Sequence, residues 1–327
     1  MPSTGPEAAM APVVVAAGVI QGPDSRFLVS QRPRHLHQGG LWEFPGGKLE
    51  AGESAFQALQ RELSEELGIR VRQAEPLIRV PWRYPDKTVV LHVWRVTGFD
   101  GEPEPREGQA MRWVDGVQLA ALRFPAANQP IVTAARLPDR YLITPEPAGP
   151  VDGFLAALDR AVANGIDLIQ LRARSLDDAA YARLAEQVVA HLGKRPVQLL
   201  LNAQPSLAVS LGVGLHLSAR RLRALATRPR LAPGQWLAAS CHSTAELWQA
   251  VHKGVDFAVL GPVLPTRSHP EAGGIGFDRL HALLREVPLP TYALGGLDPT
   301  HLDTAKAHGA QGIAAIRGLW PPGPRKH

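Results

Sequence analysis

Residues 47–69 read GKLEAGESAFQALQRELSEELGI, and this stretch decides how the first third of the chain folds. Ser54 can cap the start of a helix, and Gly68 suits the left-handed residue that ends one, so the spacing predicts a helix from Ser54 to Leu67. Between these ends, apolar side chains recur at helical intervals and predict one buried face. They are Phe56, Leu59, Leu63 and Leu67.

The same helix carries three acidic residues on one face. Glu62, Glu65 and Glu66 stand at positions i, i+3 and i+4, where like charges weaken a helix by about a few tenths of a kcal/mol per pair. A divalent cation would remove this repulsion, and ligands that are all oxygen favour Mg²⁺ or Mn²⁺ over Zn²⁺. The residues alone also allow a simpler interpretation, a solvated acidic helix face.

The spacing around these acids is defined over the whole stretch. Gly47, five residues, Glu53, seven residues and then Arg61-Glu62 open a pattern that continues through Glu65, Glu66 and Gly68. It resembles the Nudix box, and the resemblance implies a hydrolase that cuts a pyrophosphate bond in a nucleoside triphosphate. It also implies a set of magnesium ligands, with Mn²⁺ as the alternative ion. These are Gly47, Glu62, Glu65 and Glu66.

The resemblance assigns further roles beside the metal. It implies that Glu53 and Arg61 brace the loop against the helix, and that bound metal polarises the water that attacks phosphorus. One of the carboxylates takes the proton of that water, and Glu62 is our first choice. Other carboxylates of the helix remain open for this step.

Four short segments outside the box resemble the MutT branch, whose members hydrolyse 8-oxo-dGTP to the monophosphate and pyrophosphate. They are Phe27–Arg32, Phe44–Lys48, Glu107–Gln109 and Ala127–Asn128. This resemblance implies that Glu107 adds a metal contact, Asn128 reads the oxidised purine edge, and Arg32 and Phe44 line the pocket. By themselves, Asn128 equally fits a turn before Pro130, and Glu107 equally fits a solvated loop.

Bulk composition narrows the class of protein. The 327 residues are 45% hydrophobic and 20% charged, with a formal net charge of +5, which indicates a folded protein rather than a disordered one. The single cysteine, Cys241, excludes an internal disulfide, and we expect a reducing, cytoplasmic location. The apolar stretch from Ala11 to Ile20 has no basic residue before it and is too short to span a bilayer, so it predicts a first strand.

The pattern of apolar runs and helical segments changes at a hinge around Pro138 and Asp139, and this change divides the chain in two. We expect residues 1–137 to form a Nudix α/β/α sandwich with a mixed sheet, and residues 138–327 to form a second domain. The first domain alternates short apolar runs with the one strong helix. The runs are Val13–Ile20, Phe27–Arg32, Leu77–Arg83, Thr88–Thr97 and Met111–Val114.

In the second domain, eight apolar runs alternate with helical patterns. This alternation predicts a compact (β/α)₈ TIM barrel. The runs begin at Tyr141, Leu168, Val197, Val213, Trp236, Phe257, Thr291 and Gly312. The helical patterns are Gly153–Asn164, Leu176–Leu192, Thr244–Lys253, Phe277–Glu286 and Pro299–His308. A last helix is expected to be truncated, since prolines follow Trp320 closely.

Residues from Arg140 to Trp320 resemble the thiamine-phosphate synthase and thiazole tautomerase superfamily. The matching pieces lie near the C-terminal ends of the predicted strands, where barrel enzymes keep their sites. The resemblance implies substrate-binding residues and a phosphate cradle formed by Gly295, Gly296 and the backbone around Ile316-Arg317. The substrate-binding residues are Gln170, Arg172, Asn202, Thr266, Gly295 and Gly296.

The chain departs from the synthase pattern where two aspartates would hold magnesium. Ala203 and Arg221 stand at those two positions, which puts full synthase activity in doubt. Two lysines of the pattern are also replaced, by Arg174 and His269, and arginine is not equivalent to lysine in a tight phosphate site.

Two histidines and the cysteine have separate interpretations. His242 suits the acid–base group that a tautomerase needs, and it equally suits a histidine that is merely hydrogen-bonded at a strand end. His216 is expected to be structural, pointing into or beside the barrel, and Cys241 is expected to be a small buried filler.

Three functions remain open. The first is 8-oxo-dGTP hydrolysis, joined to a barrel that binds a thiazole or pyrimidine phosphate. The second is hydrolysis of a pyrophosphate from thiamine chemistry, and the third makes the barrel a non-catalytic sensor. We expect no direct contact with nucleic acid and none with membranes, and the sequence leaves the oligomeric state open.

Overall fold

The computed structural model describes residues 11–35, 38–266 and 273–322. The chain forms two compact units, and the boundary between them lies between Ala135 and Arg136. The predicted hinge at Pro138 and Asp139 lies just after this boundary. Within the described ranges, no helix has the length and apolar character that crossing a membrane would require. His269, one of the residues that depart from the synthase pattern, lies outside the described residues.

The first unit is built on a mixed seven-stranded sheet. Strand β1 pairs parallel with β6, while every other pairing in this sheet is antiparallel. The main path runs β3-β2-β1-β6-β5, with β4 beside β1 and β7 beside β2. The strands are β1 (Val13–Gln21), β2 (Phe27–Gln31), β3 (Trp42–Glu43), β4 (Gly46–Lys48), β5 (Arg70–Arg83), β6 (Thr88–Asp100) and β7 (Met111–Val114).

Helices cover both faces of this sheet. Because side chains alternate along a strand, Ala16 and Ile20 of β1 pack with α1, while Ala17 and Val19 face the opposite core. The opposite core contains α2 and α3. The α/β/α sandwich with a mixed sheet is therefore confirmed. The helices are α1 (Ala55–Leu67), α2 (Gly116–Ala121) and α3 (Gln129–Arg136), with a 3₁₀ turn at Ala126–Asn128 before α3.

Two details of the first unit differ from expectation. Phe56 is 38% exposed and lies beside the Trp94 ring at a centroid distance of 5.9 Å, so it borders the buried helix face instead of belonging to it. Strand β5 begins at Arg70, seven residues before the predicted start at Leu77. Arg70 and Arg72 are exposed, and the register shifts near Val71 break the alternation that would have revealed the strand.

The second unit is a closed barrel of eight parallel strands, in the order β10-β11-β12-β13-β14-β15-β8-β9. Each strand begins within one residue of the predicted position, so the TIM barrel is confirmed. The strands are β8 (Arg140–Ile143), β9 (Leu168–Leu171), β10 (Gln198–Leu201), β11 (Gly214–Leu217), β12 (Leu237–Cys241), β13 (Phe257–Leu260), β14 (Thr291–Leu294) and β15 (Ile313–Ala315).

Helices surround the barrel, and three aromatic rings meet within it. Tyr141 lies 5.4 Å from Phe257 and 5.6 Å from Tyr292 between ring centroids. In the described chain up to Pro322, no helix follows β15, and Trp320 instead packs on Phe154 at 5.3 Å. The helices are α4 (Val151–Ala163), α5 (Asp178–Leu192), α6 (Pro205–Leu211), α7 (Ala219–Ala224), α8 (Thr244–His252), α9 (Gly276–Leu284) and α10 (Leu302–Ala307).

Candidate functional site

Helix α1 is fixed at both ends, which sets the direction of its acidic face. The Ser54 hydroxyl accepts from the Gln57 N–H at 3.3 Å, and the Gln57 side chain accepts from the Ser54 N–H at 2.9 Å. This reciprocal capping box satisfies donors that the first helical turn leaves open. At the other end Gly68 takes the left-handed conformation, with φ 71°, and its N–H bonds back to the helix.

Glu62 lies directly against the backbone of β4. A Cβ built on Gly47 would fall inside 3.0 Å of all three carboxylate atoms of Glu62, closer than real side chains approach. Any residue larger than glycine at position 47 would therefore displace this carboxylate. The local sequence uses glycine here so that the acid of the helix can reach the loop backbone.

Arg61 links the loop to the helix through two oxygens of one carboxylate. Its Nε donates to Glu53 Oε1 at 2.8 Å, and its Nη2 donates to Glu53 Oε2 at 3.0 Å. Nη2 also donates to the Lys48 carbonyl at 3.0 Å. These bonds hold the pKa of Glu53 down to about 2, so Glu53 is ionised at neutral pH. The arrangement matches the bracing role expected of this pair.

Arg61 also draws two of the expected metal ligands toward itself. Its Nη1 donates to Glu62 Oε1 at 3.0 Å and to Glu65 Oε2 at 3.1 Å. Glu65 is 60% exposed and lies on the outer side of this ion pair. The arginine thus supplies the counter-charge for both carboxylates.

Glu66 points the other way, toward β4. Its Oε2 accepts from the Gly46 N–H at 3.1 Å. Burial raises the pKa of Glu66 to about 8, and the nearby carboxylates of Glu107, Glu62 and Glu43 add to the rise. Burial also raises the pKa of Glu62, with Glu65 and Glu107 contributing in the same direction. Negative charge is therefore crowded between helix α1 and the loop of Glu107.

The loop that carries Glu107 is tied to the end of α1. The Arg106 N–H donates to the Glu66 carbonyl at 3.0 Å, and the Gln109 amide donates to the same carbonyl at 3.2 Å. The Glu107 N–H in turn donates to the Gln109 side chain at 3.0 Å. These bonds place an acid from outside the helix close enough to Glu62 and Glu66 to affect their titration.

The side chains suit a hard divalent cation by their chemistry, although they do not yet converge on one point. All the candidate ligands present oxygen. The pKa values of Glu62 and Glu66 are raised first by burial and then by neighbouring carboxylates, and a bound cation would favour the ionised form of each. In the described parts of the chain, no three acidic, histidine or cysteine side chains are grouped so that they could hold a metal. Arg61 engages Glu62 and Glu65 in this structure, and the assignment of Gly47, Glu62, Glu65, Glu66 and Glu107 as metal ligands stays a prediction.

The expected nucleotide pocket is lined in part by an ion pair. Arg32 Nη1 bonds to Glu43 Oε2, and burial raises the pKa of Glu43 against the effect of that arginine. Phe44 is 4% exposed and stacks on Phe124 at 5.3 Å, so it supports the pocket from the core. Asn128 ends the 3₁₀ turn and is half-buried, with its N–H donating to the Pro125 carbonyl at 2.9 Å.

Tyr84 lies beside two of the expected site residues, although the sequence did not single it out. It follows β5, and burial raises its pKa. Hydrogen bonds with Gln38 and with the Ala127 backbone oppose that rise, as does the charge of Arg32. The phenol therefore lies between Arg32 and the turn that carries Asn128. The only signal in the sequence was an aromatic residue in an otherwise polar hairpin, Arg83-Tyr84-Pro85.

In the second unit, the expected binding residues follow neighbouring strands. Arg172 comes directly after β9 and Asn202 directly after β10, which pair in parallel, so the structure brings these two together. Gln170 is 2% exposed and bonds to the Tyr141 hydroxyl at 3.4 Å inside the barrel. Its side chain is therefore part of the interior hydrogen-bond network.

His216 is wholly buried inside the barrel, as expected of a structural residue. Its Nδ1 lies 3.0 Å from the Tyr141 hydroxyl and its Nε2 lies 2.8 Å from Ser240 Oγ. Burial lowers the pKa of His216 to about 3, so the imidazole is neutral at physiological pH. Cys241 is 1% exposed, which agrees with its expected role as a filler.

His242 faces away from this interior network. Its side chain is 59% exposed, and Nδ1 lies 3.1 Å from Glu246 Oε2 in the first turn of α8. The His242 backbone N–H donates to the same oxygen at 2.8 Å. The histidine is thus bonded at a strand end, the simpler of the two interpretations open for it.

The last group of expected residues lies on the other side of the rim. A Cβ on Gly295 would fall 2.7 Å from Pro262 Cα, and one on Gly296 would fall 2.7 Å from the Pro265 carbonyl oxygen. Both glycines have positive φ, so the loop after β13 requires them on packing grounds alone. Thr266 also follows β13 and is the last residue described before position 273.

Comparison with known proteins assigns a family to each unit. Residues 16–134 match the family described as NUDIX domain, and residues 140–319 match the family described as thiamine monophosphate synthase. The chain is 36% identical to an 8-oxo-dGTP diphosphatase of Escherichia coli strain K12 over 118 residues, which covers 36% of this chain and 92% of that protein.

Two further relatives extend the comparison. A CTP pyrophosphohydrolase of Escherichia coli strain K12 is 40% identical over 115 residues, covering 35% of this chain and 83% of that protein. A putative thiamine-phosphate synthase of Geobacter sulfurreducens is 33% identical over 189 residues, covering 57% of this chain and 89% of that protein. Similarity therefore extends across nearly the full length of each relative.

Proposed function

Because the chain belongs to the NUDIX domain family over residues 16–134 and to the thiamine monophosphate synthase family over residues 140–319, we propose that its first unit is a magnesium-dependent pyrophosphohydrolase of 8-oxo-dGTP. In the proposed reaction, water adds to one phosphorus of the anhydride that joins the α- and β-phosphates, and that P–O–P bond breaks. The products are 8-oxo-dGMP and pyrophosphate. Removal of this oxidised nucleotide would keep it out of newly made DNA.

The observation that carries the proposal is the contact of Glu62 with the Gly47 backbone, held from the side by Arg61 and Glu53. Magnesium, when bound, neutralises the phosphate chain and makes the attacking water more acidic. Glu62 then accepts the proton of that water at a carboxylate oxygen. Glu66 and Glu107 would supply further oxygen ligands to the ion, and Glu65 would do so once freed from Arg61.

Selection of the base is assigned to the pocket near Asn128. A side-chain amide both donates and accepts, which suits a purine edge that presents both kinds of group. Tyr84 and Arg32 form the neighbouring wall, and Phe44 supports it from the core. A second candidate substrate is CTP, because a relative of that activity is 40% identical over 115 residues.

The test compares kcat/KM of the intact chain for 8-oxo-dGTP, dGTP, CTP and thiamine diphosphate with magnesium present. The proposal predicts the highest value for 8-oxo-dGTP and no turnover in EDTA. Equal values for dGTP and 8-oxo-dGTP would remove the sanitation role, and a preference for thiamine diphosphate would favour the thiamine-related alternative. Glu62→Gln is expected to lower kcat by orders of magnitude, while Gln substitution at the exposed Glu75 serves as the matched control.

For the second unit we propose a phosphate-binding role, on the strength of Arg172, Asn202 and the rim glycines Gly295 and Gly296. Turnover of thiazole carboxylate phosphate, or of a pyrimidine pyrophosphate with a thiazole phosphate, would make the barrel a catalyst. Binding without turnover would make it a sensor. His242→Gln distinguishes a tautomerase, because a variant that still isomerises the thiazole excludes that histidine from the reaction.

A further inference from the structure

Three arginines follow two strands on one side of the barrel rim. Arg172, Arg174 and Arg221 follow strands β9 and β11, which flank β10. Arg172 is 25% exposed, and burial together with the charge of Arg174 lowers its pKa. The lowered pKa means that burial and the neighbouring positive charge both disfavour the charged form of the Arg172 guanidinium. An anion bound at this rim would relieve both effects.

Glu146 bonds to this group of arginines, and both of its carboxylate oxygens are already engaged. Glu146 Oε1 accepts from Arg172 Nη1 at 3.3 Å and from the Arg174 N–H at 3.1 Å. Its Oε2 accepts from the Ser175 N–H at 3.1 Å and from the Ser175 hydroxyl at 2.8 Å. Glu146 therefore fastens the loop after β9, and both of its oxygens are engaged.

Arg221 has a different environment from the other two. Its side chain is half-buried, and Nη1 donates to Asn202 Oδ1 at 3.1 Å. Over the ranges 11–35, 38–266 and 273–322, no carboxylate forms an ion pair with Arg221. A guanidinium has five N–H donors, and the bond to the neutral Asn202 amide uses one of them, so Arg221 can still donate to an anion.

Tyr181 keeps the two arginines at one place on the rim. Its hydroxyl donates to the Leu171 carbonyl at 2.7 Å and accepts from the Asn202 N–H at 3.1 Å. Leu171 immediately precedes Arg172, and Asn202 holds Arg221, so one buried phenol joins both supports. Tyr181 itself is 6% exposed, which indicates a fixed element of the barrel wall.

We propose that Arg221 and Arg172 form an anion site that binds a phosphate or diphosphate group directly, without a divalent cation. This inference rests on the phosphate-binding role proposed for the barrel and deepens it. The neighbouring side chains support direct binding, because Ala203 and Arg221 offer no carboxylate that would ligate magnesium. A guanidinium fork instead matches two phosphate oxygens at once and carries the positive charge that a metal would bring.

The experiment is a calorimetric titration of the full chain in EDTA, where the metal-dependent site of the first unit does not contribute. Inorganic pyrophosphate, inorganic phosphate and thiazole carboxylate phosphate are titrated separately, so that a free anion and an organic phosphate ester are distinguished. We expect at least one of them to bind the wild type, and Arg221→Gln to weaken that binding at least tenfold. Arg221→Lys, which keeps the charge but loses the fork, is expected to fall between the two.

Arg220→Gln is the matched control, because it removes the same charge from an exposed side chain on the same helix, α7. We expect it to bind as the wild type does. Arg172→Gln provides a second variant should Arg221→Gln fail to fold, and it is expected to weaken the same ligand at least tenfold. Unchanged affinity in either folded variant, or an equal loss in Arg220→Gln, would overturn the proposal.

A second titration, with magnesium present, distinguishes this inference from the broader phosphate-binding role proposed for the barrel. It uses the Glu62→Gln background, so that the first unit contributes little to ligand binding. Binding that appears only with magnesium would leave the barrel its phosphate role and would refute the direct role of Arg221. Binding under neither condition would remove both. Hydrolysis of 8-oxo-dGTP by the first unit is assayed separately and bears on neither result.

Discussion

The carboxylate of Glu62 rests on the α-carbon of Gly47, at a place that any side-chain carbon on residue 47 would occupy. The two residues are fifteen positions apart and lie on different elements, β4 and α1. Their contact fixes the distance between the loop backbone and the acidic helix face. In the proposed reaction phosphate and metal bind beside this contact, so we expect it to affect turnover as well as packing.

Gly47→Ala tests this relationship directly. The new methyl group would push the Glu62 carboxylate away, and a misplacement of about 1 Å in a catalytic group costs roughly 100-fold in rate. We therefore expect kcat for 8-oxo-dGTP to fall about 100-fold, with the apparent affinity for magnesium also reduced. Steady-state kinetics over a magnesium titration measures both.

Gly153→Ala is the control for that substitution. Gly153 lies in α4, and a Cβ there meets nothing within 4 Å. Alanine in this helix is expected to leave hydrolysis unchanged and to stabilise the barrel by about 0.5–1 kcal/mol. Full activity in Gly47→Ala would show that the Glu62 contact has no part in turnover.

The bidentate pair of Arg61 and Glu53 is expected to behave as a unit. Arg61→Lys loses the planar fork and Glu53→Gln loses the charge, so each should lower kcat/KM at least tenfold. Because both substitutions break the same brace, the double variant should be little worse than either single one. A double-mutant cycle on kcat/KM measures this coupling.

The exposed pair of Arg72 and Asp100 serves as the comparison for that cycle. Their side chains are 55% and 56% exposed, and such surface pairs contribute about 0–1 kcal/mol. Neutral substitutions there should change kcat/KM little, singly or together. Strictly additive losses at Arg61 and Glu53 would mean that the two side chains act independently, contrary to a shared brace.

Base selection should depend on Asn128 and be supported by Tyr84. Asn128→Ala removes a side chain that both donates and accepts, and one lost hydrogen bond of this kind is worth about 1–3 kcal/mol. We expect the ratio of kcat/KM for 8-oxo-dGTP over dGTP to fall about tenfold or more. Tyr84→Phe keeps the ring and should lower the ratio less. An unaltered ratio in Asn128→Ala would refute its reading role.

The sequence predicted best those elements in which the local residue pattern and the tertiary packing favour the same structure. Helix α1 carries its cap, its apolar stripe and its terminal glycine, and the structure places them as expected except for Phe56, which borders the buried face. The barrel strands are buried on both faces, so they read as short continuous apolar runs, and their starts could be located within one residue. The sandwich and the barrel were therefore predictable.

Other features depend on partners that a linear pattern does not contain. Asn128 lies in a turn before Pro130, as its pattern suggested, but the pattern did not show that Pro130 belongs to the first turn of α3, which begins at Gln129. Arg61 bonds to Glu65 on the same helix and also to Glu53 in the loop before it. The sequence spacing does not show that one arginine holds both carboxylates at once. Tyr84 gained its place only because the β5–β6 hairpin folds back toward Arg32.

The neutral state of His216 makes a prediction about stability and pH. Burial lowers its pKa in the folded barrel to about 3, whereas an unfolded histidine titrates near 6.5. Between these values the unfolded chain binds one proton more than the folded chain, so stability is fully present above about pH 6.5 and falls as the pH falls toward 3. One such proton corresponds to about 1.4 kcal/mol per pH unit.

Urea unfolding of the barrel transition between pH 4.5 and 8 measures this slope. His216→Gln retains groups that can bond to Tyr141 and Ser240 but does not titrate, so its free energy of unfolding should fall less steeply on acidification, by about 1.4 kcal/mol per pH unit. Ser240→Ala removes one hydrogen bond without removing the titrating ring, and it should lower stability by a similar amount at each pH. Parallel profiles for the wild type and His216→Gln would show that the buried imidazole is not the group whose protonation destabilises the barrel.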